Sequence, residues 1–175
     1  MDYQLREIEE SEYFLLEDFL YEAIFVPEGV ESPPKSILAC PELQVHIENF
    51  GTRNSDKGII ADVDGEIIGA VWTRIMNDYG HIDDQTPSFA ISLYKEFRGL
   101  GIGTAMMKAM LSLLQESGWD RASLSVQKEN YAVKMYQSLG FRIVDEDSEE
   151  YIMAIDLRKD VACKATTSAF QKDMM

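Results

Sequence analysis

Cysteine, histidine and basic charge are all scarce in this 175-residue chain, and each scarcity closes off a class of function. Cys40 and Cys163 lie far apart, with no second Cys or His at ligand spacing around either, which argues against a zinc site or a CxxC redox motif and leaves two free thiols. No metal is expected. Lys and Arg number 16 against 31 Asp and Glu, a formal net charge of −15, so the clustered cations that neutralise nucleic-acid phosphates are missing. A nucleic-acid partner is therefore not expected. A cationic substrate suits the charge better, although net charge speaks to solubility before it speaks to partners. No run approaches the roughly 18 apolar residues of a membrane span, and the opening MDYQLREIEE has neither the basic region nor the apolar stretch of a secretory signal. The expectation is a cytoplasmic protein without membrane contact.

What the chain has in quantity is apolar: 46% hydrophobic and 10% aromatic residues suffice for one domain's core. Residues 3–8 read as a first strand. Ser11 and Glu12 then open a segment in which Phe14, Leu15, Phe19, Leu20 and Ile24 recur at helical spacing until Pro27. After the loop EGVESPPKS, Pro41 starts a second short helix through Leu43, Ile47 and Phe50. From Gly58 the period changes to that of two antiparallel strands about an Asp64-Gly65 turn. A polar connection, residues 76–87, leads to the strand 88–93; an amphipathic helix over 104–117 ends at Gly118; a strand over 121–126, a helix over 130–139 and strands over 141–144 and 150–157 follow. The order β-α-α-β-β-β-α-β-α-β-β reads as a mixed sheet with helices on its faces, an α/β or α+β single domain over residues 1–157. Residues 158–175 lose periodicity and read as a frayed C-terminal tail.

The densest signal is FRGLGIGTAMM, with Gly99, Gly101 and Gly103 between a strand and a helix start. Glycine permits positive φ and close backbone approach, and the free N–H groups of a helix's first turn attract an anion such as pyrophosphate. The dinucleotide pattern GxGxxG fails because its last glycine would fall on Thr104, and the Walker pattern fails because no Lys follows at the required place. A tight strand-to-helix turn alone does not require three alternating glycines behind Arg98.

The run Arg98-Gly99-Leu100-Gly101-Ile102-Gly103 fits [Q/R]-x-x-G-x-[G/A] and resembles the signature of the GNAT superfamily of acyl-CoA N-acetyltransferases. About 27 residues further on, Asn130 to Phe141 (NYAVKMYQSLGF) is similar to that family's second hallmark, with its Asn, Ala/Val, Tyr and closing Gly-Phe. The likeness covers roughly residues 59–157. It implies a mostly antiparallel mixed sheet whose two parallel central strands, 88–93 and 121–126, splay apart around acetyl-CoA, the acyl-donor cosubstrate. The backbone of Ile91, Ser92 and Leu93 would pair with the pantetheine arm, and the amides from Arg98 through Leu100 and Ile102 to Thr104 would hold the pyrophosphate. Asn130 would bond the pantetheine, cap its helix, or do both.

The same resemblance implies transfer to a primary amine of a small molecule or peptide, with a homodimer as a partner common among relatives. The alternative is a non-catalytic acyl-CoA sensor or assembly module; Tyr136 at the family's acid position favours the enzyme. A phenol of pKa near 10 is a poor acid toward a thiolate near 8.5, so its value lies in a hydrogen bond that strengthens as charge develops on sulfur. A general base is harder to assign, since residues 88–93 hold no acid. The loop before them offers His81, Asp83 and Asp84, as base or as contacts to a cationic amine, although Asp in a loop most often caps a turn. His46 competes only from what reads as a helix surface. Trp72, Tyr21 and Glu22 are further candidates for an acceptor pocket, with core and helix-surface roles the plainer reading.

Overall fold

The computed structural model describes residues 1–158; residues 159–175, with Cys163 and nearly all of the expected tail, lie outside the described residues. Among the described residues eleven strands and α-helices follow the order read from the sequence: β1 (Gln4–Glu7), α1 (Leu16–Ala23), α2 (Pro41–Gln44), β2 (Lys57–Val63), β3 (Glu66–Arg74), β4 (Ser88–Leu93), α3 (Ile102–Glu116), β5 (Arg121–Gln127), α4 (Ala132–Leu139), β6 (Arg142–Glu146) and β7 (Glu150–Asp156). Seven strands form one sheet in the order β1-β2-β3-β4-β5-β7-β6. Only the β4–β5 pair is parallel, and a single bridge, Ser88 opposite Ser123, joins it. The β2–β3 hairpin turns through Asp64 (φ 53°) and Gly65 (φ 88°), the left-handed pair that matches strand twist.

Strand alternation divides the side chains between two cores. Ile59, Ile68, Phe89, Leu93, Leu124, Val126 and Met153 pack beneath Ile102, Met106, Met107, Met110 and Leu114 of α3, joined by Tyr136 and Phe141. On the other face Ile60, Ala70 and Trp72 meet Leu16, Phe19 and Leu20 of α1, with Leu38 and Phe50. Each fully buried Leu, Ile, Phe or Met among them contributes about 1.5–3 kcal/mol. Ser92 sits on the α1 face and its hydroxyl donates to the Phe19 carbonyl at 2.6 Å, which ties α1 to β4.

Both early helices are shorter than their apolar spacing predicts. A 3₁₀ segment, Glu10–Leu15, precedes α1. Its three residues per turn rotate the buried face, so that Leu16 joins Phe19 and Leu20 while Phe14 stays 73% exposed. The second helix stops at Gln44 because side chains from β3 take the carbonyls beyond it. Trp72 Nε1 donates to the His46 carbonyl at 3.1 Å, and Arg74 donates to Val45 O at 3.0 Å, Glu48 O at 2.7 Å and Asn49 O at 3.4 Å. Arg74 also grips Asp56 through Nε (2.9 Å) and Nη2 (2.8 Å), with both side chains fully buried. His46 accordingly is not a helix-surface residue. It sits in this clasp with Nδ1 buried and unpartnered, its pKa lowered to about 4 by burial and by the Arg74 charge.

Candidate active site

Beyond the Ser88–Ser123 bridge β4 and β5 diverge, and hydrogen-bond alternation decides which groups face the gap. Tyr94 N–H donates to Ile68 O of β3 at 3.0 Å, so the even-numbered amides of β4 point to β3 and those of Ile91 and Leu93 point into the gap. Ser123 N–H donates to Pro87 O at 2.9 Å, which by the same alternation turns Ser125 N–H into the gap from the other side. Of the three residues expected to pair with a pantetheine arm, Ile91 and Leu93 present N–H groups. Ser92 spends its amide on β3 and its hydroxyl on α1.

Directly above lies a cleft of about 1000 Å³, lined by Ile91–Leu93, by Arg98, Gly99, Gly101, Gly103 and Thr104 of the turn but not Leu100 or Ile102, by Asn130, Met135 and Tyr136 and, from the α1 side, by residues 21–30. Gly99 and Gly101 have φ of +74° and +83°, and a Cβ on either would meet nothing within 4 Å. Those conformations favour glycine, and the open space is where a ligand can approach the backbone. Gly101 is the N-cap of α3, and the helical ladder begins with Ala105 N–H to Gly101 O at 3.1 Å. The N–H groups of Ile102, Gly103 and Thr104 therefore have no partner within the helix, the arrangement that receives a pyrophosphate. Strand amides, open glycines and a free helix start together fit acetyl-CoA. Leu100, 57% exposed at the tip, and Arg98 bracket this turn differently. The Arg98 guanidinium is committed within the protein, to Leu93 O (2.8 Å) and to Glu22 Oε2 (3.1 Å).

Tyr136 projects from α4 to line the same cleft and is 7% exposed. Burial, with a smaller contribution from Tyr131, drives its pKa well above the ordinary phenol value, so it stays protonated and can only donate or accept a hydrogen bond. Its ring meets Phe141 edge-on at 5.9 Å, and its hydroxyl makes no hydrogen bond to another described residue. The Asn130 side chain accepts from Ala132 N–H at 2.9 Å, so it caps the start of α4 at the rim of the cleft.

The loop expected to carry a base packs elsewhere. Asp83 Oδ1 accepts from Gln85 N–H (2.9 Å) and Thr86 Oγ1 (2.7 Å), the turn-capping role, while Oδ2 faces Arg121 at 3.7 Å. Those hydrogen bonds lower its pKa. Asp84 has a side chain 95% exposed, 3.8 Å from His81 Nε2, and His81 Nδ1 is buried without a partner. None of the three lines the cleft. Tyr21 and Glu22 do, whereas Trp72 is fully buried in the α1 core.

Sequence reading passed over Asp78. Its carboxylate accepts from Ser88 Oγ at 3.3 Å at the root of the splay, and Ser88 Oγ lies 3.2 Å from Ser123 Oγ, which donates to Gly80 O at 2.6 Å. Burial raises its pKa to about 6 against the hydrogen bond from Ser88. No local pattern marks it, because Asn77-Asp78-Tyr79-Gly80 reads as a plain turn.

Comparison with known proteins agrees with this geometry. A curated N-alpha-acetyltransferase of Sulfurisphaera tokodaii is 29% identical over 114 residues, 56% of this chain and 68% of that protein. A mycothiol acetyltransferase of Paenarthrobacter aurescens is 31% identical over 90 residues, and there the match spans 51% of this chain and only 28% of the relative. Among solved structures, the PaiA N-acetyltransferase of Thermoplasma acidophilum in complex with coenzyme A superposes with a TM-score of 0.66 at 18% identity, over 89% of this chain and 99% of that one. The profile of the Acetyltransferase (GNAT) family matches residues 5–141, and the chain belongs to that family.

Proposed function

We propose that this acetyltransferase moves the acetyl group of acetyl-CoA to a primary amine, with an α-amine as the first acceptor class to test because the Sulfurisphaera tokodaii relative is named for one. The observation that carries the reading is the single β4–β5 bridge, which leaves the Ile91 and Leu93 amides in line with the open glycine turn. Bound there, acetyl-CoA supplies an activated acyl thioester. Ile91 and Leu93 hold its arm as an added strand would, the start of α3 holds its phosphates, and Tyr136 offers a hydroxyl to the departing sulfur. A non-catalytic acyl-CoA binder would use the first two features and has no need of the third.

Thermal scanning with and without acetyl-CoA tests the donor, and thiol release with an alanine-initiated peptide, a free amino acid and spermidine tests the acceptor. Stabilisation by acetyl-CoA together with thiol release on one amine supports the reading. No thermal shift at millimolar acetyl-CoA rejects the donor, and a shift without release on any amine leaves the binder.

A further inference from the structure

The cleft has two walls, and the acyl donor accounts for one of them. The β4 amides and the glycine turn take an acyl-CoA arm and its phosphates, so an attacking amine comes to the thioester from the other wall, on the α1 side. That wall is formed by residues 21–30 with Ser32 and Pro33. It is a surface loop closed at its base, where Tyr21 Oη donates to the Pro33 carbonyl at 2.6 Å. Just outside the closure Lys35 Nζ lies 3.6 Å from Asp18 and 5.7 Å from the centroid of the Tyr21 ring. At the far end Val30 N–H donates to Pro27 O at 3.1 Å, around Gly29 with φ +80°. Compact surface loops with their ends held together frequently carry function.

The composition of this loop is unusual for an exposed segment. Ile24, Phe25 and Val26 follow one another, Val30 is 57% exposed, and all four line the cleft. None of the four belongs to either core. Single exposed apolar residues are ordinary, but four within seven positions on one wall of a cleft form a surface from which a ligand can displace water at a gain. The charge of the cleft agrees. Although the whole chain carries −15, the charged residues that line the cleft among the described residues are Glu22, Glu28 and Glu96 against Lys95 and Arg98, and Glu22 is already paired with Arg98. A polyamine requires a carboxylate or other acceptor for each ammonium it brings out of water, and this wall offers it mostly hydrocarbon.

We propose that the loop wall selects the acceptor, and that the acceptor is a primary amine borne on a bulky apolar group, which packs against Phe25 and Val30 while the nitrogen faces the thioester. The inference rests on the reading of the chain as an amine acetyltransferase and adds the chemical class of the amine. A polypeptide beginning with leucine or phenylalanine offers that chemistry, and so does a free alkyl or aryl amine. Discrimination then comes from burial: an aliphatic side chain moved from water onto the wall raises kcat/KM over a lone methyl group by about 10- to 100-fold.

The test is thiol release with leucine-initiated and alanine-initiated peptides of otherwise one sequence, with isoamylamine, which carries the same branched chain as a free amine, and with spermidine. Wild type, Phe25→Ala and Val30→Ser are compared, and the acetyl-CoA thermal shift is measured on each. In the wild type kcat/KM for the leucine-initiated peptide exceeds that for the alanine-initiated one by about 10- to 100-fold, and spermidine is the poorest acceptor. In Phe25→Ala that preference falls to about threefold or less while the acetyl-CoA shift stays at the wild-type value. Val30→Ser lowers the preference in the same direction; the residue is exposed and outside both cores, so this variant decides should Phe25→Ala fail to fold. Leucine-initiated peptide ahead of isoamylamine assigns a polypeptide terminus, and the reverse a free apolar amine; either supports the proposal. Alanine-initiated peptide or spermidine equal to or ahead of the apolar amines overturns it, as do variants that lose the acetyl-CoA shift and keep the preference, because the wall would then belong to the donor. A wild type that shifts with acetyl-CoA and acetylates none of the amines overturns the parent reading, and this one with it.

Discussion

Between Leu93 and Thr104 the cleft is lined largely by backbone, while on the α1 side, at Tyr21 and Glu22, it is lined by side chains held by tertiary contacts. The first region works because Gly99 and Gly101 occupy left-handed conformations with open space where a Cβ would stand, and because a helix start is left with unpartnered N–H groups. Those properties reside in residue type and short spacing. The second depends on what distant segments bring together: Ser92 with Phe19, Arg98 with Glu22, Tyr21 with Pro33. One half of the site can thus be changed by a single methyl group, and the other only by breaking a partnership.

The largest effect is expected where the backbone itself is the ligand's partner. Gly101→Val places a β-branched side chain at φ +83°, a strain of about 1–3 kcal/mol, and puts carbon into the space that the phosphates require. The acetyl-CoA stabilisation, about 2.7 kcal/mol at a hundredfold excess over Kd, should vanish in a thermal scan. If it persists, the turn is structural and the contrast between the halves fails on its stronger side.

Tyr136→Phe comes next. It keeps the ring against Phe141 and deletes one hydroxyl that has no protein partner among the described residues, so stability and acetyl-CoA binding should hold while single-turnover transfer slows by about 10² to 10⁴. Full activity with chemistry rate-limiting would remove Tyr136 from the reaction.

On the side-chain half, Asp56→Asn should cost about 3–5 kcal/mol by leaving the fully buried Arg74 without its carboxylate. Burial alone would raise the pKa of Asp56. Hydrogen bonds from Arg74, Arg53 and Gly51 outweigh it and leave the value below the ordinary 3.8. A depressed carboxyl contributes stability that is present above its unfolded value and lost as pH falls through its folded one. Chemical denaturation should therefore show the full gap between wild type and variant at neutral pH and a closing gap below about pH 4. A gap independent of pH would mean that the variant acts through packing.

Asp78 has the opposite sign. Its folded pKa of about 6 lies above the ordinary 3.8, so the protonated form stabilises the fold at low pH and that contribution is lost as pH rises through about 6. Asp78→Asn should melt at or above the wild type at pH 8 and lose that advantage toward pH 4.

The same division explains what the sequence made legible. The order of strands and helices, the Asp64-Gly65 hairpin and the splayed parallel pair follow from periodicity, turn residues and the two family motifs. The ends of the early helices do not, because Trp72 and Arg74, some 26 to 29 residues away in the chain, take carbonyls that a longer α2 would have used. His81, Asp83 and Asp84 stood out as chemistry-bearing types in a loop, yet Asp83 is spent on its own turn and Asp84 on solvent. Asp78, three residues before His81, differs from them only in being buried against Ser88, and burial of a loop carboxylate is a property of the fold.

The smallest effect sits where the two halves meet. Arg98 Nη2 and Glu22 Oε2 are 3.1 Å apart, with side chains 35% and 30% exposed, so the pair links the end of α1 to the glycine turn in partial contact with water. Such pairs contribute about 0.2–1 kcal/mol, and Arg98 retains its bond to Leu93 O without Glu22. Glu22→Gln should therefore lower stability by no more than that, with the difference shrinking as salt is raised. Glu22 also lines the cleft, which separates two roles. As a link, its loss shifts KM for acetyl-CoA slightly and leaves the amine alone. As a contact to a cationic acceptor, its loss raises KM for the amine while KM for acetyl-CoA and kcat stay near wild type. The second outcome would make the α1 side the specificity half of the site; the first would leave that half as the frame that holds the turn in place.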